Sequence, residues 1–170
     1  MRHLMTVTIL LAAAVPAAAH IGLAQREAAV GSTYRATLVV GHGCEGATTT
    51  EIRVEVPEGF YNVRAMPKTG WQLETRNGPY EKPFNNHGTE MTEGVREIIW
   101  SEGELPDSQF DEFIFRGTFG ADLKAATRFH FPVVQKCGDK QDAWIDASGA
   151  EGVEYPAPAV TLRPSKGHGH

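Results

Sequence analysis

Beyond residue 20 the apolar positions fall mostly two apart. Residues 51–56 read EIRVEV, with Ile52, Val54 and Val56 on one face and charged side chains on the other. That alternation marks a half-buried strand, and Pro57-Glu58-Gly59 turns the chain after it. The same pattern predicts strands over 34–40, 60–65, 71–75, 95–100, 112–116, 128–134, 142–146 and 159–162. In the 128–134 run Phe129, Phe131 and Val133 share a face, and His130 lies on the other. Residues 77–93 are polar and rich in turn formers, and read as a loop or a long hairpin. Helical periodicity is weak throughout, and no internal repeat is visible. About eight or nine short, evenly spaced strands point to an all-β domain, a single immunoglobulin- or fibronectin-like sandwich.

The first residues follow a different rule. Met1-Arg2-His3 is basic, residues 4–15 form an apolar run, and Pro16-Ala17-Ala18-Ala19 supplies small residues for a cut. That order describes a secretory signal peptide over 1–19. The run is too short for a membrane span, which takes ~20 residues. Cleavage after Ala19 leaves 151 residues that start at His20, with a net charge of -6. The expected division is signal peptide 1–19, sandwich 20–163 and flexible tail 164–170, in a periplasmic or secreted protein with no transmembrane anchor.

The full chain has 170 residues, 41% of them hydrophobic, with 16 Lys+Arg against 21 Asp+Glu. One core and one domain fit that size. The acidic balance excludes a nucleic-acid partner, which needs a basic face. No glycine-rich phosphate loop is present. Two cysteines, Cys44 and Cys137, stand 93 positions apart without a CxxC pair. In an exported chain they favour one disulfide over a thiolate metal site. Closing so long a loop is worth roughly 4–5 kcal/mol at most.

Cleavage before a histidine creates a chemical group that no internal histidine has. The free α-amine and the Nδ1 of His20 can close one chelate ring on a metal ion. Two nitrogens from one residue suit Cu(II), which favours N/O ligands in a tetragonal plane. Both must be deprotonated to bind, so affinity falls as the pH drops. The alternative is a cut that happens to fall before a histidine.

The chain resembles the YcnI-like copper-binding domains of exported bacterial proteins. The resemblance runs through Ala19-His20-Ile21, His42-Gly43-Cys44 with Thr48-Thr49, Val56-Pro57-Glu58-Gly59 and Pro67-Lys68-Thr69-Gly70-Trp71. It continues in Ile99-Trp100-Ser101, Leu105-Pro106-Asp107, Phe110-Asp111-Glu112-Phe113, Pro132-Val133-Val134-Gln135-Lys136-Cys137 and Trp144. It implies a sandwich holding one Cu(II) in a brace with a single histidine, completed by a carboxylate and a tryptophan. His20 takes the first role. Trp144, with Trp71 as rival, covers one face of the ion; an indole N–H has no lone pair to ligate. Glu112 is the preferred carboxylate, and Asp111, on the other face of its strand, is excluded with it. Gln135 is either a supporting hydrogen-bond partner or an ordinary strand-end amide.

Other histidines widen the choice. His42, in a Gly-flanked loop beside Cys44, would make a two-histidine brace if it reached the ion. His130 faces away from the predicted core, His87 reads as a loop residue, and His168 and His170 on the tail offer loose metal capture. Met66 and Met91 are isolated, which disfavours soft Cu(I) ligation. The expected function is Cu(II) binding for copper homeostasis, as chaperone or delivery protein and not as an enzyme, with another copper-handling protein as partner. A copper oxidase built on the same brace and a metal-free adhesion sandwich are the alternatives.

Overall fold

The computed structural model describes residues 20–165. The expected signal peptide and the tail histidines His168 and His170 lie outside them. Twelve strands and no α-helix form among the described residues. No described helix is therefore long and apolar enough to cross a membrane.

In chain order the strands are β1 Gly22–Leu23, β2 Glu27–Ala29, β3 Thr33–Val40, β4 Glu51–Glu55, β5 Phe60–Ala65 and β6 Gln72–Asn86. They continue with β7 Thr89–Ser101, β8 Asp111–Phe119, β9 Arg128–His130, β10 Val133–Cys137, β11 Lys140–Trp144 and β12 Ala159–Arg163. One sheet runs β1-β3-β8-β5 and the facing one β11-β10-β4-β7-β6. A third, β2-β12-β9, adds Val160 and Leu162 to the same core.

The period-two reading explains why these segments pair as they do. Ile52, Val54 and Val56 are all fully buried, as are Ala36, Leu38 and Val40 across the core. Phe60, Phe113, Phe115, Phe119 and Phe131 fill the space between the sheets. The buried aromatic area dominates the core's energetics.

Two predictions were too coarse. Residues 128–134 do not form one strand: the chain breaks at Phe131-Pro132, β9 pairing with β12 and β10 with β4 and β11. Proline lacks the N–H a ladder needs, so the chain changes sheets there. Residues 77–93 belong to the long β6–β7 hairpin. His87 and Gly88 at its tip both have positive φ, 52° and 90°, which suits a tight hairpin turn. Its outer strand is mostly exposed, so it shows little hydrophobic alternation.

Candidate functional site

Three of the expected residues, His20, His42 and Trp144, meet at one end of the sandwich. β1 pairs antiparallel with β3 through Gly22↔Val39 and Leu23↔Leu38. Ile21 is buried and His20, just ahead of it, is exposed. The His20 ring stands edge-on to the Trp144 indole, centroids 5.7 Å apart and planes at 83°. His42 approaches the same indole at 6.4 Å and 69°. Tyr155 makes a third edge-on contact at 5.1 Å. Trp144 is therefore both a core side chain, 3% exposed, and the surface shared by two imidazoles.

Gln135 fixes this arrangement. Its fully buried amide donates to the His42 carbonyl at 2.7 Å and to Thr49 Oγ1 at 2.8 Å. Its Oε1 accepts the Trp144 Nε1–H at 3.2 Å. One amide thus sets the plane of the indole and the position of the His42 loop. A buried polar group so fully paired stabilises one geometry. Of the two readings of Gln135, the supporting one matches these contacts.

The disulfide lies directly behind. Cys44 and Cys137 are bonded, with Cα atoms 5.8 Å apart, as expected. Asp107 Oδ1 accepts the Gly43 N–H at 2.9 Å. A side chain at Gly43 would lie 1.7 Å from the Ala47 carbonyl oxygen, so the loop needs glycine there. The His42 Nδ1–H donates to the Gly43 carbonyl.

Glu112 is not part of this group. The register runs Gly22↔Val39↔Glu112 across β1, β3 and β8, and the neighbouring Leu38↔Phe113 pair is the buried one. Opposed residues share a face, so Glu112 points away from the core that holds Trp144. It lines a shallow groove with Met66, Pro67 and Lys68 instead. Asp111 there pairs with Lys68 at 2.6 Å.

The carboxylate at the site end is Asp142, which the sequence reading passed over. It sits two residues before Trp144 on β11, on the same buried face, and opposite Gln135. Burial pushes its carboxyl above the usual range, and the facing His42 imidazole opposes that shift. Asp142 in turn raises the Tyr155 phenol. The i, i+2 spacing of Asp142 and Trp144 was a readable signal. Tyr155 lies between strands, where no periodicity marks it.

The rivals fall elsewhere. Trp71 packs edge-on against Phe113 at 4.9 Å. His130 is half-buried, its Nδ1 3.4 Å from the Ala157 carbonyl, and burial lowers its pKa. His87 is at the hairpin tip. His20 opens onto a groove of about 370 Å³ lined also by Arg26, Arg128 and residues 156–159.

Among the described residues, no three His, Cys, Asp or Glu side chains are gathered as a ready metal site. A brace does not require three. Were the chain cut after Ala19, His20 would offer an amine and an imidazole nitrogen, donor types that suit Cu(II).

Residues 20–162 match a family described as "Domain of unknown function (DUF1775)". The chain belongs to that family. YcnI is the known member of DUF1775. An uncharacterized protein from Nocardia farcinica, whose crystal structure reveals an immunoglobulin-like fold, superposes with a TM-score of 0.62 at 25% identity. The match covers 85% of this chain and 98% of that one. The DUF1775 domain here is accordingly an immunoglobulin-like sandwich. The sixth cohesin of Acetivibrio cellulolyticus scaffoldin B, crystallised with a Cel5 dockerin, covers the same shares at 8% identity and a TM-score of 0.41, too distant to inform the comparison. No curated protein sequence matches significantly.

Proposed function

We propose that this DUF1775 domain, cut after Ala19 and exported, binds one Cu(II) through the amine and imidazole of His20 and serves copper homeostasis by carrying or delivering the ion. The observation that carries the reading is the edge-on seat of the His20 ring on Trp144, 5.7 Å between centroids. An aromatic wall beside a metal ligand limits solvent access and so favours holding over turnover. The family match also begins at residue 20, the residue that cleavage would make first. The Cys44–Cys137 disulfide suits the periplasmic or extracellular setting proposed here. A partner that donates or receives copper follows from the carrier role. Glu112 is left out of the proposed ligand set because it lines the separate groove of Met66, Pro67 and Lys68.

The test is a Cu(II) titration of protein that starts at His20 against the same protein with one residue added ahead of it. The extension keeps the imidazole and moves the amine away. Affinity should fall about a hundredfold or more, equivalent to ~2.7 kcal/mol. Equal stoichiometry and affinity in the two forms would reject the brace.

A further inference from the structure

We infer that His42 is a second imidazole ligand of the ion held by His20, presenting its Nε2. The inference rests on the copper reading above and departs from a brace with a single histidine.

Strand register brings the two residues together. Extending the β1–β3 ladder from Gly22↔Val39 by two pairs sets His20 across from Gly41, the residue before His42. Adjacent strands lie about 4.8 Å apart, so the two histidines stem from neighbouring points on the same sheet end. Both rings turn to one indole, at 5.7 and 6.4 Å, rather than to separate surfaces.

The tautomer of His42 is also set. Its Nδ1 carries the proton, because the partner is a carbonyl oxygen that can only accept. In the neutral ring Nε2 is then the basic nitrogen. A histidine oriented through Nδ1–H to a backbone carbonyl is how proteins fix the tautomer of an imidazole ligand.

The loop that carries His42 is held at three consecutive residues. Gln135 holds the His42 carbonyl, Asp107 holds the Gly43 N–H, and the disulfide holds Cys44. A histidine with no task beyond solvation requires none of this. The resulting donor set is three nitrogens, which suits Cu(II).

The experiment uses the mature chain starting at His20, with His168→Ala and His170→Ala so that the tail contributes nothing. Cu(II) titration and electron paramagnetic resonance compare it with His42→Ala and with the one-residue extension. His42→Ala should weaken binding about tenfold or more and reduce the nitrogen superhyperfine pattern from three nitrogens to two. Pulsed electron paramagnetic resonance of the unsubstituted site provides a check independent of any variant, since two bound imidazoles add combination features that one does not. If His42→Ala matches the parent in affinity and nitrogen count while the extension loses the site, His42 is not a ligand and the single-histidine brace stands. If the extension binds like the parent, the brace reading falls and this inference falls with it.

Discussion

At the His20 end of the sandwich the loops are fixed from inside, whereas β6, the outer strand of the β6–β7 hairpin, is held largely from outside. Near His20 a disulfide, one buried glutamine amide and a glycine with no room for a side chain determine where His42 and Trp144 stand. Along the hairpin the polar links are ion pairs on the surface: Arg76 with Glu74 and Glu97, and Lys82 with Asp122. Its outer strand meets the body through the Tyr61, Tyr80 and Phe84 rings, Tyr61 and Phe84 stacked at 4.7 Å, and through the Tyr80 hydroxyl, which accepts the Asn62 N–H. Exposed pairs are screened by salt and contribute little, whereas a buried hydrogen bond left half-made is expensive. The comparison teaches that the site end has one geometry to keep, while the hairpin tolerates adjustment.

The contrast can be broken first at the disulfide. Cys44→Ser should lower stability by about 2–5 kcal/mol in chemical denaturation, and thiol titration of the denatured, unreduced parent should find no free thiol. A small loss would mean that the remaining contacts hold the loop unaided. Next is Gln135→Leu, which removes the partner of the Trp144 N–H and of the His42 carbonyl. A cost of about 2–4 kcal/mol is expected from two buried groups left unpaired, together with a changed Trp fluorescence. Arg76→Ala on the hairpin should move neither the melting temperature nor copper affinity measurably. An Arg76→Ala effect as large as that of Gln135→Leu would erase the distinction between the two regions.

The smallest expected effect concerns pH. Burial raises the Asp142 carboxyl pKa in the folded state. The folded protein therefore holds that proton to higher pH than the unfolded chain does, and the stability it contributes is lost as the pH rises through the raised value. Asp142→Asn cannot ionise, so it should melt slightly above the parent at neutral pH and converge with it in acid. A parent more stable than the variant at neutral pH would show that the carboxylate is stabilised by its neighbours instead of strained by burial.

Much of this was legible in the chain because the relevant physics is local. Alternation at Ile52, Val54 and Val56 reports a buried face directly. Trp144 and His42 could be named because each stands at or just beyond a strand end, whereas Gln135, in the middle of β10, was named only through the motif that ends at Cys137. Glu112 shows the limit. Alternation tells which residues share a face, but not which face of a sheet meets the core end where His20 lies, and that depends on pairing three strands. The break at Pro132 has a similar origin: the run is apolar throughout, and only the change of partner strands makes the proline decisive. The hairpin was ambiguous because β6 is an edge strand wet on most of its surface, so burial writes no period into it.

The disulfide has one more consequence, which concerns durability against proteolysis. Every peptide bond from Cys44 to Cys137 lies inside a covalent ring that contains β4 to β10 and the hairpin tip. A single cut between His87 and Gly88, at the most accessible turn, leaves both halves on one molecule with the sandwich still tied together. The same cut between residues 147 and 155 lies outside the ring. It leaves β12, with the buried Val160 and Leu162, retained only by its pairing with β2 and β9.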